Sequence, residues 1–123
     1  MIRKKLTDDF YEDEFWSQDT KTQRMNVEFM FKLQKLRTVV GVPFVISSGW
    51  RTVAYNSLKG GATASKHLIG TAADIDHQHW DSATKHKFIT AACVLGFSVG
   101  IYPKHFHVDN RMEPRVLWLT LPD

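Results

Sequence analysis

Cysteine is almost missing from this chain, with Cys93 the only one in 123 residues. An internal disulfide is therefore excluded, and the fold must rest on its core, helped at most by a bound metal. Cys93 lies in the apolar run Ala91-Ala92-Cys93-Val94-Leu95, where it reads as a buried small hydrophobe rather than a reactive thiol. No run is long and apolar enough to cross a bilayer, so no membrane span is expected. The basic start Met1 to Lys5 is followed by Thr7, Asp8 and Asp9 where a signal peptide needs its apolar stretch. No signal peptide is expected, and a substrate outside the cytoplasm would need another delivery route. Repeats, low-complexity segments and interdomain linkers are also lacking. One domain over residues 1–123 is expected, as a monomer, with residues 1–20 forming an arm that packs on the body. Neither a nucleic-acid motif nor a dense Lys/Arg cluster is present, so nucleic acid is not an expected partner.

What is present is unevenly distributed. Residues 8–19 hold six acids and no Lys or Arg, although the whole chain carries a net charge of +3. Residues 20–123 are correspondingly basic, with 13 Lys and Arg against 7 Asp and Glu. A basic body suits an anionic polymer such as cell wall. Within the acidic arm, Leu6, Phe10, Phe15 and Trp16 are apolar anchors, read as packing rather than ligand-binding residues.

Further along, Thr20-Lys21-Thr22-Gln23 has the form of a capping box. It predicts a helix over 22–40, with Val27, Met30, Phe31, Leu33, Leu36, Val39 and Val40 as its core stripe and Gly41 and Pro43 as its stop. Phe44 to Ser48 is a predicted strand. Residues 53–64 read as a short helical turn and a loop, and a strand follows over Ala72 to Ile75. Asp81 caps a predicted helix over 82–95, ended by Gly96. Phe97 to Ile101, Phe106 to Asp109 and Val116 to Leu119 are the last predicted strands, with a turn at Tyr102 to Lys104. Helices and strands mix without regular βαβ alternation. The expected class is α+β, an antiparallel sheet with helices packed on one side.

Six histidines offer chemistry. His67 and Asp74 lie seven positions apart across Gly70 and small residues, and His107 follows in Lys104-His105-Phe106-His107-Val108-Asp109. Two His and one Asp suit zinc in an open site with three protein ligands. On a strand, His105, His107 and Asp109 share one face, so a neighbour of the metal could hold a proton or an oxyanion. Spacing alone leaves a second reading open, in which these are core or surface histidines without metal. His86, between two lysines, reads as a solvated surface residue. His77-Gln78-His79 reads as a loop feature, with a contact at the substrate rim as the alternative.

Ser47-Ser48-Gly49-Trp50-Arg51-Thr52, Asn56, Gly60-Gly61-Ala62 and Ser65-Lys66-His67-Leu68-Ile69-Gly70-Thr71-Ala72-Ala73-Asp74-Ile75 closely resemble the D-Ala-D-Ala carboxypeptidase family of zinc peptidases. That family groups with the lysostaphin-like and hedgehog-like zinc domains. Phe106-His107-Val108-Asp109 resembles the final ligand motif, in a branch common among phage and bacterial cell-wall hydrolases. The resemblance covers residues 6–112. It implies a hedgehog-like peptidase fold, Zn2+ held by His67, Asp74 and His107, and peptidoglycan stem peptides as substrate. Arg51 would lie near the substrate carbonyl or carboxylate, where its fork of donors suits an oxyanion. Ser65 would bond substrate or steady the ligand loop, and Gly70 would let the backbone bend between the ligands. Relatives often place an acid three residues before the last His; here that position is Lys104. Asp109 and His105 stand equally as the replacement general base. The substitution also keeps alive a zinc-bound but inactive binding module, as in hedgehog proteins. The bond cut is open among carboxypeptidase, dipeptidase and L-Ala-D-Glu endopeptidase types. A protein made in the cytoplasm that acts on the cell wall in phage lysis, or as part of a virion, fits the resemblance.

Overall fold

Five strands form one sheet in a computed structural model that describes residues 2–111 and 115–120. They are β1 (Val45–Ser48), β2 (Ala72–Asp76), β3 (Ser98–Ile101), β4 (His105–Asp109) and β5 (Leu117–Leu119). Their order across the sheet is β1-β2-β4-β3-β5. The first four pair antiparallel. The expected antiparallel sheet is corrected at its edge, where β5 runs parallel to β3 and makes the sheet mixed. Among the described residues, three α-helices complete the α+β fold: α1 (Val27–Val40), α2 (Val53–Leu58) and α3 (Ser82–Val94).

The sheet has one dry face and one chemical face, because successive side chains on a strand point opposite ways. Ala73 and Ile75 of β2 sit across from Val108 and Phe106 of β4. These four, with Val99, join the buried cluster that holds Phe29, Leu33, Leu36 and Phe88 of the helices and Phe97 just before β3. Phe88 stacks on Phe106 with ring centres 4.9 Å apart. The opposite parity puts Asp74 across from His107, Asp76 across from His105 and Ala72 across from Asp109. A one-residue slip would exchange the two faces, so burial of Ile75 and Phe106 holds the polar set in register.

Three expectations on the helices need correction. α1 begins at Val27, five residues later than expected, because residues 17 to 22 form a turn closed by a bridge between Ser17 and Thr22, and Asn26 is tied to Gly70. Ser17 N–H donates to the Thr22 carbonyl, and Asn26 N–H donates to the Gly70 carbonyl. The cap is Asn26, whose side-chain oxygen accepts from Phe29 N–H at 2.8 Å; Thr20 and Gln23 form no capping box around it. The core stripe is also rotated. Phe29 is fully buried against Phe97, with ring centres 5.8 Å apart, while Val27, Phe31 and Val39 are exposed. Cys93, expected inside, is exposed on α3, where Phe88 and Ala92 take the inner positions. Asp81 does cap α3 as expected, accepting from Thr84 N–H.

The N-terminal segment is part of the core. Phe10 and Phe15 are buried and meet edge to face at 5.5 Å. Phe15 ends a 3-10 helix, Glu12–Phe15, and its carbonyl accepts from Trp50 N–H at 3.0 Å. Gly49 is required at this crossing, since a Cβ there would lie 2.6 Å from the Phe15 Cα.

Candidate metal centre

Three local structures bring His67, Asp74 and His107 together. His67 lies on a 3-10 helix, Lys66–Ile69, whose N-cap Ser65 accepts from His67 N–H at 3.2 Å. Gly70 closes that helix with φ 72°, a conformation that costs glycine little. A side chain at Gly70 would also strike the Arg24 carbonyl, so the turn sits flush against the chain leading into α1. Asp74 is in the middle of the central strand β2, and His107 faces it from β4. One donor atom from each of the three lies within 4.8 Å of the other two.

Each histidine is oriented from behind. His67 Nδ1–H donates to the Gly49 carbonyl at 2.6 Å, because a carbonyl can only accept. This leaves Nε2 facing Asp74 Oδ1 at 3.4 Å. His107 Nδ1 lies 2.8 Å from Asp74 Oδ1, and its Nε2 lies 2.8 Å from Asp109 Oδ2. Four-coordinate zinc with bonds near 2.0 Å sets its donor atoms about 3.3 Å apart. The 2.8 and 3.4 Å separations bracket that spacing. The carboxylate and carbonyl behind the rings are the supports that metal-bound imidazoles ordinarily have. The donor set therefore fits zinc.

The charges interlock. Burial opposes ionisation of Asp74, but hydrogen bonds from His107 and His67 outweigh it and hold the carboxyl well below the usual range. Burial likewise opposes the charge on His107, but Asp109 and Asp74 outweigh it and raise the imidazole from 6.5 to about 9. Asp109 is fully buried. Burial would raise its carboxyl, yet Arg111 and His107 hold it low. Arg111 Nε reaches one Asp109 oxygen at 2.8 Å and Nη2 reaches the other at 2.7 Å. Both oxygens of Asp109 are thus engaged.

The remaining residues surround this centre. A β-bulge between Ile46 and Ser48 sets Ser48 opposite Asp74. The Ser48 hydroxyl accepts from Arg51 Nε at 3.0 Å, and the buried Asn56 accepts from Arg51 Nη1 at 3.3 Å. Asn56 in turn donates to the Ala62 carbonyl. Gly61 leaves room for it, since a Cβ there would collide with the Asn56 amide. Held this way, Arg51 extends Nη2 to 3.8 Å from Asp74 Oδ2. His105 Nε2 approaches the same oxygen, also at 3.8 Å. Its ring stacks on Tyr102 at 4.6 Å, and burial is the main cause that lowers its pKa, leaving it neutral near pH 7. A cavity of about 480 Å³ opens over the centre, lined in part by Arg51, Ser65, His67, His105 and His107.

Arg111, Tyr102 and Trp118 belong to this cavity and were not among the residues singled out from sequence. Trp118 sits over Gly100, with its indole 5.4 Å from the His107 ring and its N–H donating to Tyr102 Oη at 3.1 Å. No sequence signal marked them: Arg111 lies beyond the end of β4, and Gly100 meets His107 only through the register of β3 and β4. Lys104 is exposed and lies outside the cavity lining. His86 is exposed. His77 is buried, with its Nε2–H donating to the Tyr102 carbonyl at 2.8 Å and its ring on Phe106. It supports the β3–β4 turn and does not line the cavity.

Comparison with known proteins gives two findings. The family model described as Peptidase M15 matches residues 8–109. A 47-residue stretch is 45% identical to the zinc D-Ala-D-Ala carboxypeptidase of Streptomyces albus G, covering 37% of this chain and 18% of that protein. The match thus spans less than a fifth of that relative's length.

Proposed function

Since the chain belongs to the peptidase M15 family, we propose that it is a zinc-dependent peptidase that hydrolyses peptidoglycan stem peptides. The observation that carries this reading is the convergence of His67, Asp74 and His107 at the floor of an open cavity, with Arg51 beside them. The partial likeness to a zinc D-Ala-D-Ala carboxypeptidase supports the substrate class.

His67 Nε2, Asp74 and His107 Nδ1 would hold the zinc, which would supply Lewis acidity towards a peptide carbonyl and towards water. The protein's own residues do the rest. His105 is the general base: neutral, half-exposed in the cavity, and on the Asp74 side of the centre. It takes a proton from water and returns it to the leaving amine. Asp109 orients His107, since both its oxygens are already engaged by His107 and Arg111. Arg51, fixed by Ser48 and Asn56, donates to the oxyanion that develops on the carbonyl. Ser65 steadies the His67 turn and lines the cavity.

The test is product analysis. Zinc-loaded protein is incubated with muropeptides of several wall types, and cleaved stems are sought by mass spectrometry. Release of the terminal D-Ala makes it a carboxypeptidase, and cleavage between L-Ala and D-Glu makes it an endopeptidase. Lys104, at the position of the usual acid, favours a second reading: a zinc-containing module that binds wall without turnover. That reading predicts stoichiometric zinc and retention on sacculi with no product from any wall type.

A further inference from the structure

Two cavities adjoin at Asp74 and His105. The larger lies towards Lys66, Arg111 and Trp118. The other, of about 300 Å³, lies towards the N-terminal arm and is lined there by Glu14, Trp16 and Gln18. They share Arg51, Lys59, Asp74 and His105. A peptide held over the centre can therefore extend into both.

The two ends differ in charge. The larger cavity has Lys59, Lys66 and Arg111 on its wall, and its two acids, Asp74 and Asp109, are tied to the histidines and to Arg111. On the arm side, Glu14 is the acid that the arm contributes. Other arm acids are already engaged: Asp9 pairs with Arg37, Asp13 with Arg3, and Asp19 accepts from Thr52 and Ser17. Among the described residues, Glu14 accepts a backbone N–H, from Tyr11 at 2.7 Å, which fixes its direction. Trp16 lines the same cavity. A cavity that carries both a carboxylate and an indole suits an organic cation. Lys59 marks the boundary, with its ammonium already over the Tyr55 ring at 5.5 Å.

We propose that the arm-side cavity is a subsite for a primary ammonium group on the acyl side of the scissile bond, with Glu14 and Trp16 as its specificity determinants. In a stem peptide cut at its terminal D-Ala, the cleavage on which this inference rests, that group is the side-chain amine of the diamino acid at the third position. The lysine-lined cavity then receives the carboxylate that follows the scissile bond, which fixes the direction of the bound chain. The preferred substrates are stems whose side-chain amine is free, not acylated by a cross-link. This inference rests on the peptidase reading above.

The experiment uses the zinc-loaded full chain and two pentapeptides ending in D-Ala-D-Ala, identical except that the third residue is L-Lys or Nε-acetyl-L-Lys. A third peptide with meso-diaminopimelate distinguishes the two natural sources of the amine. Binding of each peptide is measured in parallel by calorimetry. The expected result is a preference of roughly tenfold in kcat/KM and in affinity for the free amine. Glu14→Gln brings the free-amine peptide down to the acetylated one, Glu14→Lys carries it below, and Trp16→Ala weakens it several-fold. Equal cleavage of both peptides by the wild type overturns the subsite and leaves the peptidase reading standing. Tighter binding of the free-amine peptide, lost in Glu14→Gln but without cleavage of any peptide, upholds the subsite and removes the peptidase reading. Neither binding nor cleavage removes both.

Discussion

His107 is the residue on which the chemistry of the centre turns, because without metal its imidazole bridges two carboxylates. Its pKa is raised from 6.5 to about 9. A raised value stabilises the metal-free fold fully below pH 6.5, and that contribution is lost as pH rises through 9. The shift corresponds to about 3 kcal/mol. Zinc needs the unprotonated Nδ1, so its apparent affinity climbs over the same window, roughly tenfold per pH unit. Calorimetry at pH 7.5 in buffers of different ionisation enthalpy should show about one proton released from this site per zinc; zero release would mean that His107 does not give up a proton to the metal. Two neighbours of His107 separate orientation from proton transfer. His105→Ala should retain zinc and lower kcat by roughly 10²–10⁴. Asp109→Asn should instead lower zinc affinity by about 10–100-fold. If the zinc-saturated Asp109 variant loses as much kcat as the His105 variant, the base assignment fails. The closeness of His67, Asp74 and His107 was expected from the resemblance of their motifs to zinc peptidases, whereas their spacing alone left a metal-free reading open. The pairing of Asp109 with Arg111 was not legible, since sequence alone does not tell that the chain leaving β4 turns the guanidinium back onto a buried carboxylate.

Elements place these residues through contacts that tolerate little change. The arm crosses the chain at Gly49, and Ser17 Oγ accepts from Thr52 N–H on the far side of Arg51. Gly49→Ala must push Phe15 away and should cost about 1–3 kcal/mol. It should also lower kcat/KM, because the displaced segment carries Arg51 and the Gly49 carbonyl that holds His67. Urea unfolding and steady-state kinetics on one preparation check both effects; loss of stability with unchanged kcat/KM would detach the arm from the site. The strand pattern around the centre was readable because hydrophobic alternation is strong in β2 and β4. What was misread depended on contacts distant in sequence. The start of α1 is set by Gly70, more than forty residues from Asn26, and not by the local Thr-x-x-Gln pattern. The stripe of α1 is set by Phe97 drawing in Phe29, while Phe31, nearly as good by spacing, is left exposed. Cys93 lies one position past Ala92 on α3, and a turn of about 100° per residue carries it out of the core. The parallel pairing of β5 likewise depends on a partner outside its own segment, β3, where Trp118 covers Gly100.

At the scale of the whole molecule, the centre joins parts that the core joins only indirectly. His67 belongs to the turn that follows the loop at residues 59–65, whereas Asp74 and His107 belong to the middle of the sheet. No disulfide can restrain that loop, because Cys93 is the only cysteine. A ligand that binds the folded chain and not the unfolded one stabilises it by mass action, about 2.7 kcal/mol at a hundredfold excess over Kd. For a chain of this length that is a rise in Tm of roughly 10 °C. Chelation should reverse the rise, and the effect should be uneven. The turn at Lys66–Ile69 should lose amide-exchange protection first, while β2 and β4, held by Ile75 and Phe106 on the dry face, keep theirs until global unfolding. His67→Ala removes a ligand without disturbing the sheet, so its Tm should respond to chelator far less than that of the wild type. A wild-type Tm that is the same with and without chelator, after zinc loading, would mean that the three side chains hold no metal. Their closeness would then be only a buried network of two histidines and one carboxylate.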